Sequence, residues 1–305
     1  MSHKEKYCGV IVPMVTPLKE NLSIDRQGVQ NIVEGFNKNK CNAFVLGTTG
    51  ESSSISNKKK LELVKYTIEA VNRKNLVYVG ISGNCLEETI NNAKKFADFG
   101  ADVLVAHLPY YFPLDEKHML NYFEKLANAV PLPLMVYNIP VTTNLSLPHD
   151  LIDKLSYHEN IIGLKDSQRG EDRLNDGLKL WKHRKDFTFH LGWAAMSSYG
   201  LRNGLDGIVP SSANLVPGLY RRLYDAAKNG DLKMAEELQE ITNIISAYYQ
   251  ERQILSRAFP IFKAMMDAFS LCKPFVASPL ETLNQDEIAI IKKDMLERFF
   301  KYKNS

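Results

Sequence analysis

Lys165 closes a short apolar run, Asn160-Ile161-Ile162-Gly163-Leu164-Lys165-Asp166-Ser167, that reads as a buried strand. A lysine is rarely set where it must shed water unless it is paired or used. A second run, Pro133-Leu134-Met135-Val136-Tyr137-Asn138-Ile139-Pro140, carries Tyr137 near its end. A third, Ala43-Phe44-Val45-Leu46, leads into Gly47-Thr48-Thr49-Gly50-Glu51. An amine, a phenol and a pair of hydroxyls at three strand ends suit carbonyl chemistry through a Schiff base. Desolvation lowers a lysine pKa from its reference of about 10.4. A partly neutral amine attacks a ketone and forms an iminium. Neighbouring strand residues point to opposite sides, so a Lys165 aimed into a barrel sends Asp166 outward and avoids a carboxylate that would hold its proton. Plainer readings stand beside these: a snorkelling lysine, a core tyrosine with its hydroxyl at the rim, and a strand-to-helix turn at Gly47–Glu51. The functional reading of that turn is an anion cradle of hydroxyls and backbone N–H groups. It is not a phosphate loop, because no Gly-Lys-Ser/Thr follows.

The surrounding pattern supplies strand ends in series. Candidate strands are Gly9–Met14, Ala43–Leu46, Leu76–Ile81, Asp102–Ala106, Leu134–Tyr137, Ile161–Lys165, Phe187–Leu191 and Gly207–Val209. Amphipathic segments alternate with them, beginning at Asp25–Asn37 and ending at Pro217–Asn229. Ser56-Asn57 reads as a helix start and Gly100 as a helix C-cap. Eight strands alternating with eight helices imply a parallel sheet with helical crossovers. The expected class is α/β, a (β/α)₈ TIM barrel, whose active site lies at the C-terminal strand ends. A doubly wound open sheet competes, but no G-x-G-x-x-G is present. After Gly230 the pattern turns wholly helical, over Leu232–Gln250, Gln253–Phe269 and Asn284–Tyr302. The expected division is a barrel over 1–230 and a C-terminal helical extension over 231–305, packed on the barrel.

Composition excludes other classes. Hydrophobic residues make up 45% and charged residues 24%, enough for a large core. The net charge of +3 comes without a long basic block, so nucleic acid is not an expected partner. The Lys58-Lys59-Lys60 run reads as the solvated face of a helix. Cys8, Cys41, Cys85 and Cys272 are scattered without C-x-x-C spacing and read as reduced thiols of a cytoplasmic protein. The charged Met1–Lys6 terminus has no apolar segment behind it, so no signal peptide is expected. No stretch is apolar enough to span a membrane. The seven histidines show no metal-ligand spacing. His107 and His190 lie in apolar runs and read as core histidines.

Taken together, the chain resembles the pyruvate-dependent class I aldolases, the group of dihydrodipicolinate synthase, N-acetylneuraminate lyase and the 2-keto-3-deoxy sugar-acid aldolases. The carriers are Gly47-Thr48-Thr49-Gly50-Glu51-Ser52, Leu108-Pro109-Tyr110-Tyr111-Phe112-Pro113, Tyr137-Asn138-Ile139-Pro140, Gly163-Leu164-Lys165-Asp166 and Lys273-Pro274-Phe275, all in family order. The resemblance implies a homotetramer or homodimer that needs no cofactor or metal. It implies that Lys165 is the Schiff-base lysine and Tyr137 the proton shuttle. Thr48 and Thr49, with Gly47, would serve the proton relay and the pyruvate carboxylate. Tyr111 matches a tyrosine lent across a dimer interface, and Val209 a position whose carbonyl faces pyruvate.

Departures bear on the substrate. Synthases of this group carry an arginine two residues after the proline of the Tyr-Asn-x-Pro motif, and here that place is Thr142. A threonine cannot supply a bidentate fork for a semialdehyde carboxylate. Sialic acid lyases carry an Asp-Glu pair where this chain has Gly192-Trp193-Ala194-Ala195. Trp193 reads either as an apolar pocket wall or as packing at a loop–helix junction. The expected activity is a carbon–carbon lyase acting on pyruvate and an aldehyde, or on a 2-oxo-4-hydroxy or 2-keto-3-deoxy acid. Dihydrodipicolinate synthase and N-acetylneuraminate lyase are the alternatives. A barrel that binds a 2-oxo acid without catalysis is a third.

Overall fold

A computed structural model describes residues 3–303. Met1 and Ser2 of the charged terminus, and Asn304 and Ser305 of the helical extension, lie outside it. Eight strands run β1 (Gly9–Pro13), β2 (Asn42–Val45), β3 (Val77–Gly80), β4 (Val103–Ala106), β5 (Leu134–Asn138), β6 (Ile161–Asp166), β7 (Thr188–Leu191) and β8 (Gly207–Ile208). All pair in parallel in sequence order, and β1 pairs with β8 through Gly9–Gly207 to close the barrel. Closure rules out the open sheet.

The strands read as unbroken apolar runs because both of their faces are covered. Val10, Val12, Val45 and Leu104 face the helical layer. Ile11, Phe44, Tyr78, Val105, Met135 and Tyr137 fill the barrel interior. Pairing of β5 with β6 shifts by one residue between Leu134 and Met135. Leu134 pairs with Ile161 and Met135 with Gly163, so Ile162 is the extra residue of a bulge.

Around the sheet lie α2 (Arg26–Lys38), α3 (Asn57–Val71), α4 (Leu86–Phe99), α5 (Glu116–Ala129), α7 (His149–Leu155), α8 (Glu171–Trp181), α9 (Ser197–Arg202) and α10 (Pro217–Lys228). Ser56 caps α3 by accepting from the Lys59 N–H, and Gly100 ends α4 at φ 101°, a conformation glycine adopts without strain. On α3, Lys58 is exposed but Lys59 and Lys60 are half-buried, so the lysine run is less solvated than its sequence implies.

Two short helices lie outside the expected pattern. α1 (His3–Tyr7) closes the N-terminal end of the barrel. Its Tyr7 carbonyl accepts from His190 Nε2 at 3.0 Å and Tyr78 Oη at 3.3 Å, and Lys4 pairs with Asp206 at 2.9 Å. α6 (Pro140–Thr143) is a single turn after β5. Beyond α10 the chain continues as α11 (Leu232–Gln250), α12 (Leu255–Ala268) and α13 (Gln285–Phe299), with no further strand among the described residues. Gln239 of α11 accepts from the Ser198 N–H and donates to the Ala194 carbonyl, which ties this helix to the seventh βα unit.

Candidate active site

Strand alternation sends Lys165 into the barrel and Asp166 out of it, as the sequence implies. Lys165 is 4% exposed, with Nζ 3.8 Å from the Tyr137 ring centroid and 4.8 Å from that of Phe44. Tyr137 and Lys165 are direct partners in the β5–β6 register, so the two side chains meet side by side. Loss of water pushes the Lys165 pKa below the ordinary lysine range, against an opposing pull from Tyr137. On the outer face, Asn138 and Asp166 are the next register pair. Asp166 accepts from Asn138 Nδ2 at 2.9 Å, from the Gln168 N–H at 2.9 Å and from Arg173 Nε at 2.7 Å. Its charge is therefore matched by Arg173, which also donates to the Leu147 carbonyl. This network bolts together the strand ends that carry the phenol and the amine.

The loop after β2 folds as tight turns, with Gly50 N–H donating to the Gly47 carbonyl and Glu51 N–H to the Thr48 carbonyl, each at 3.0 Å. Leu46 and Glu51 adopt positive φ, 62° and 53°. Thr16 Oγ1 donates to the Gly50 carbonyl. Gly47 sits against the Phe44 ring, where a Cβ would approach to 2.9 Å. Thr49 is buried and Thr48 is half-buried. The Glu51 carboxylate is buried against Lys263 of α12.

A cavity of about 250 Å³ opens beside this loop. Thr48, His107, Tyr110 and Thr142 line it, together with Ser52–Ser54 and with Ser256 and Phe259 of α12. The His107 ring lies 6.0 Å from that of Tyr137, which links the cavity wall to the inner aromatic cluster. His107 Nδ1 is 2.7 Å from the Leu108 carbonyl, so it carries the proton and leaves Nε2 as the acceptor. Burial pushes its pKa down, against an opposing pull from the Leu108 carbonyl, and the Lys165 charge adds to the lowering.

Of the remaining sequence candidates, Thr142 reaches the cavity and the others lie apart from it. Thr142, in α6, is half-buried with Oγ1 3.4 Å from the Ile139 carbonyl. Gly192 donates its N–H to the Asp166 carbonyl at 2.7 Å, and a Cβ there would lie 2.0 Å from Ser167 Oγ. Trp193 packs against the outer core and does not line the cavity, which favours the packing reading. Val209 joins the inner cluster, its N–H donating to the Leu191 carbonyl. Tyr111 is 75% exposed with its ring edge-on to Phe112, so a single chain does not bring it to Lys165. His190 is a buried core histidine, as expected. His107 is not, and its place directly after a strand end was the signal. Among the described residues, no group of three or more His, Cys, Asp or Glu side chains could hold a metal ion. The four cysteines are free, and burial pushes Cys41 and Cys272 up to about 12.

The sequence profile of the Dihydrodipicolinate synthetase family matches residues 6–297. The chain belongs to this family. It is thereby a carbon–carbon lyase of the pyruvate-dependent class I aldolase type. An uncharacterised DapA-like lyase of Thermofilum pendens is 31% identical over 297 residues, covering 95% of this chain and 98% of that protein. A 4-hydroxy-tetrahydrodipicolinate synthase of Pseudoalteromonas atlantica is 29% identical over 92% of this chain and 96% of its own length. Dihydrodipicolinate synthase from Bacteroides thetaiotaomicron superposes with a TM-score of 0.90 at 32% identity, covering 95% of this chain and 98% of that one. YagE of E. coli K12, a prophage protein of the same family solved with pyruvate, gives 0.88 at 26%, with the same two coverages.

Proposed function

We propose that this family member condenses pyruvate with a neutral or hydroxylated aldehyde, or cleaves the corresponding 2-oxo-4-hydroxy acid. One observation carries the reading. The Lys165 amine is buried, has no carboxylate partner among the described residues and stands 3.8 Å from the Tyr137 ring centroid. The Lys165 nitrogen adds to the 2-oxo carbon and water leaves, giving an iminium. Loss of a C3 proton turns the iminium into an enamine whose C3 attacks the aldehyde carbon. Hydrolysis then frees the amine, and the cleavage direction reverses these steps. Tyr137 moves the protons, relayed through Thr48 and through Tyr111 of a second subunit in a homodimer or homotetramer. Gly47 and Thr49 hold the carboxylate of pyruvate, and the Val209 carbonyl faces it. The iminium is the electron sink, so no cofactor is called for. Among the described residues no helix is long and apolar enough to cross a membrane, and a cytoplasmic location belongs to this proposal.

The substrate choice rests on Thr142 and on the serines around the cavity, which offer hydroxyls and no cation. A carboxylate brought into that space loses water without a charged partner. A hydrogen bond to a charged group is worth about 1.5–3 kcal/mol, so the missing arginine costs roughly 10–150-fold in specificity. The test is kcat/KM with pyruvate for glyceraldehyde, N-acetylmannosamine and aspartate semialdehyde. Thr142→Arg should raise the semialdehyde value and leave the others unimproved. Strong wild-type preference for the semialdehyde would replace this reading with the synthase one.

A further inference from the structure

Glu51 ends the Gly-Thr-Thr-Gly-Glu loop and borders the cavity, but both of its carboxylate oxygens are engaged by the C-terminal segment. One oxygen lies 2.5 Å from Lys263 Nζ, and the other accepts from the Ala277 N–H at 2.7 Å. Lys263 in turn donates to the Phe275 carbonyl at 2.6 Å. The two side chains are 0% and 1% exposed. A hydrophobic pair of similar volume would often serve stability as well as a buried ion pair does. What such a pair adds is a fixed geometry, and here it fixes a short loop. The Glu51 N–H donates to the Thr48 carbonyl, so the residue held by Lys263 closes the turn that sets Thr48 and Thr49.

We propose that Lys263 is a positioning residue: through Glu51, the C-terminal helices hold the Thr48-Thr49 loop in register with Lys165, and the site is incomplete without them. The proposal rests on the reading of Lys165 and the threonines given above. The buried Glu51 and Lys263 side chains are spent on each other and on the Ala277 and Phe275 backbone rather than on substrate. Each acts by placing hydroxyls and N–H groups at the pyruvate carboxylate, where a misplacement of about 1 Å can cost on the order of 100-fold.

The experiment uses the full chain and three variants, Lys263→Met, Lys263→Arg and Glu51→Gln. Each is assayed well below its own melting temperature. Pyruvate KM, kcat and borohydride-trapped adduct on Lys165 are measured together. Lys263→Met should lose about 10- to 100-fold in kcat/KM, much of it as raised pyruvate KM, while saturating pyruvate still yields the Lys165 adduct. Lys263→Arg, which keeps the cation, should recover most of the loss. If Lys263→Met does not fold, Glu51→Gln carries the test, since it keeps the size and the Ala277 bond but weakens the pull of Lys263. A fall in melting temperature with kcat/KM within twofold of wild type, in whichever variants fold, overturns the proposal and leaves the Schiff-base reading intact. Absence of a wild-type adduct on Lys165 removes that reading, and the proposal with it.

Discussion

At the scale of single residues, the roles proposed for the Lys165 amine and the Tyr137 phenol are separable. Lys165→Ala should abolish the borohydride-trapped adduct with pyruvate. Tyr137→Phe should still form it while losing about 10²–10⁴-fold in turnover, the usual worth of a placed acid–base group. Near-wild-type turnover in Tyr137→Phe would remove the phenol from proton transfer. The wall around the amine makes a second prediction. Because burial lowers the Lys165 pKa, the trapping rate should rise with pH to a midpoint below 10.5, the ordinary value for a lysine. Phe44→Leu admits water to Nζ and should move that midpoint upward; an unmoved midpoint would mean that the Phe44 face contributes nothing. Lys165, Tyr137 and Thr48 are legible in the sequence because each follows an apolar run, and strand ends share one face of a barrel. His107 meets the same criterion, but the run around it reads equally well as core. The burial of Glu51 against Lys263 is not legible. Its partner Lys263 sits on a helix whose sequence gives no sign that this lysine is buried.

At the scale of elements, the expected strands fall within a residue or two of those observed, as with Ile161–Lys165 against Ile161–Asp166. Buried parallel strands announce themselves as continuous apolar runs bounded by turn residues. The bulge at Ile162 does not, because a two-residue period carries no mark of an inserted residue. α1 and α6 escape for a different reason: five and four residues are too few for a helical period, and tertiary contacts make them. α1 has a measurable signature through β7. His190 Nε2 donates to the Tyr7 carbonyl, so Nδ1 is the unprotonated nitrogen, and it is buried without a partner. Burial lowers the His190 pKa from 6.5 to about 4. Between those values the unfolded chain binds more protons than the folded one. The contribution is complete above pH 6.5 and is lost as pH falls toward 4, by roughly 3 kcal/mol. Urea unfolding of wild type and His190→Gln should show it, the wild-type advantage being about 3 kcal/mol smaller at pH 4 than at pH 7. A pH-independent difference would mean that His190 titrates freely in the folded chain.

At the scale of the whole molecule, the sheet is a ring in which the first strand hydrogen-bonds to the last, and β8 closes it with two residues. A ring of strands has no edge, and an unclosed one has two. On a ribosome, β1 emerges first and must wait for Gly207 and Ile208 before its free side is paired. Until then the nascent chain offers the unpaired N–H and C=O groups of β1 to any other strand nearby. Pauses in translation upstream of Gly207 therefore expose the growing polypeptide to aggregation and to chaperone capture, whereas pauses after β8 has emerged do not.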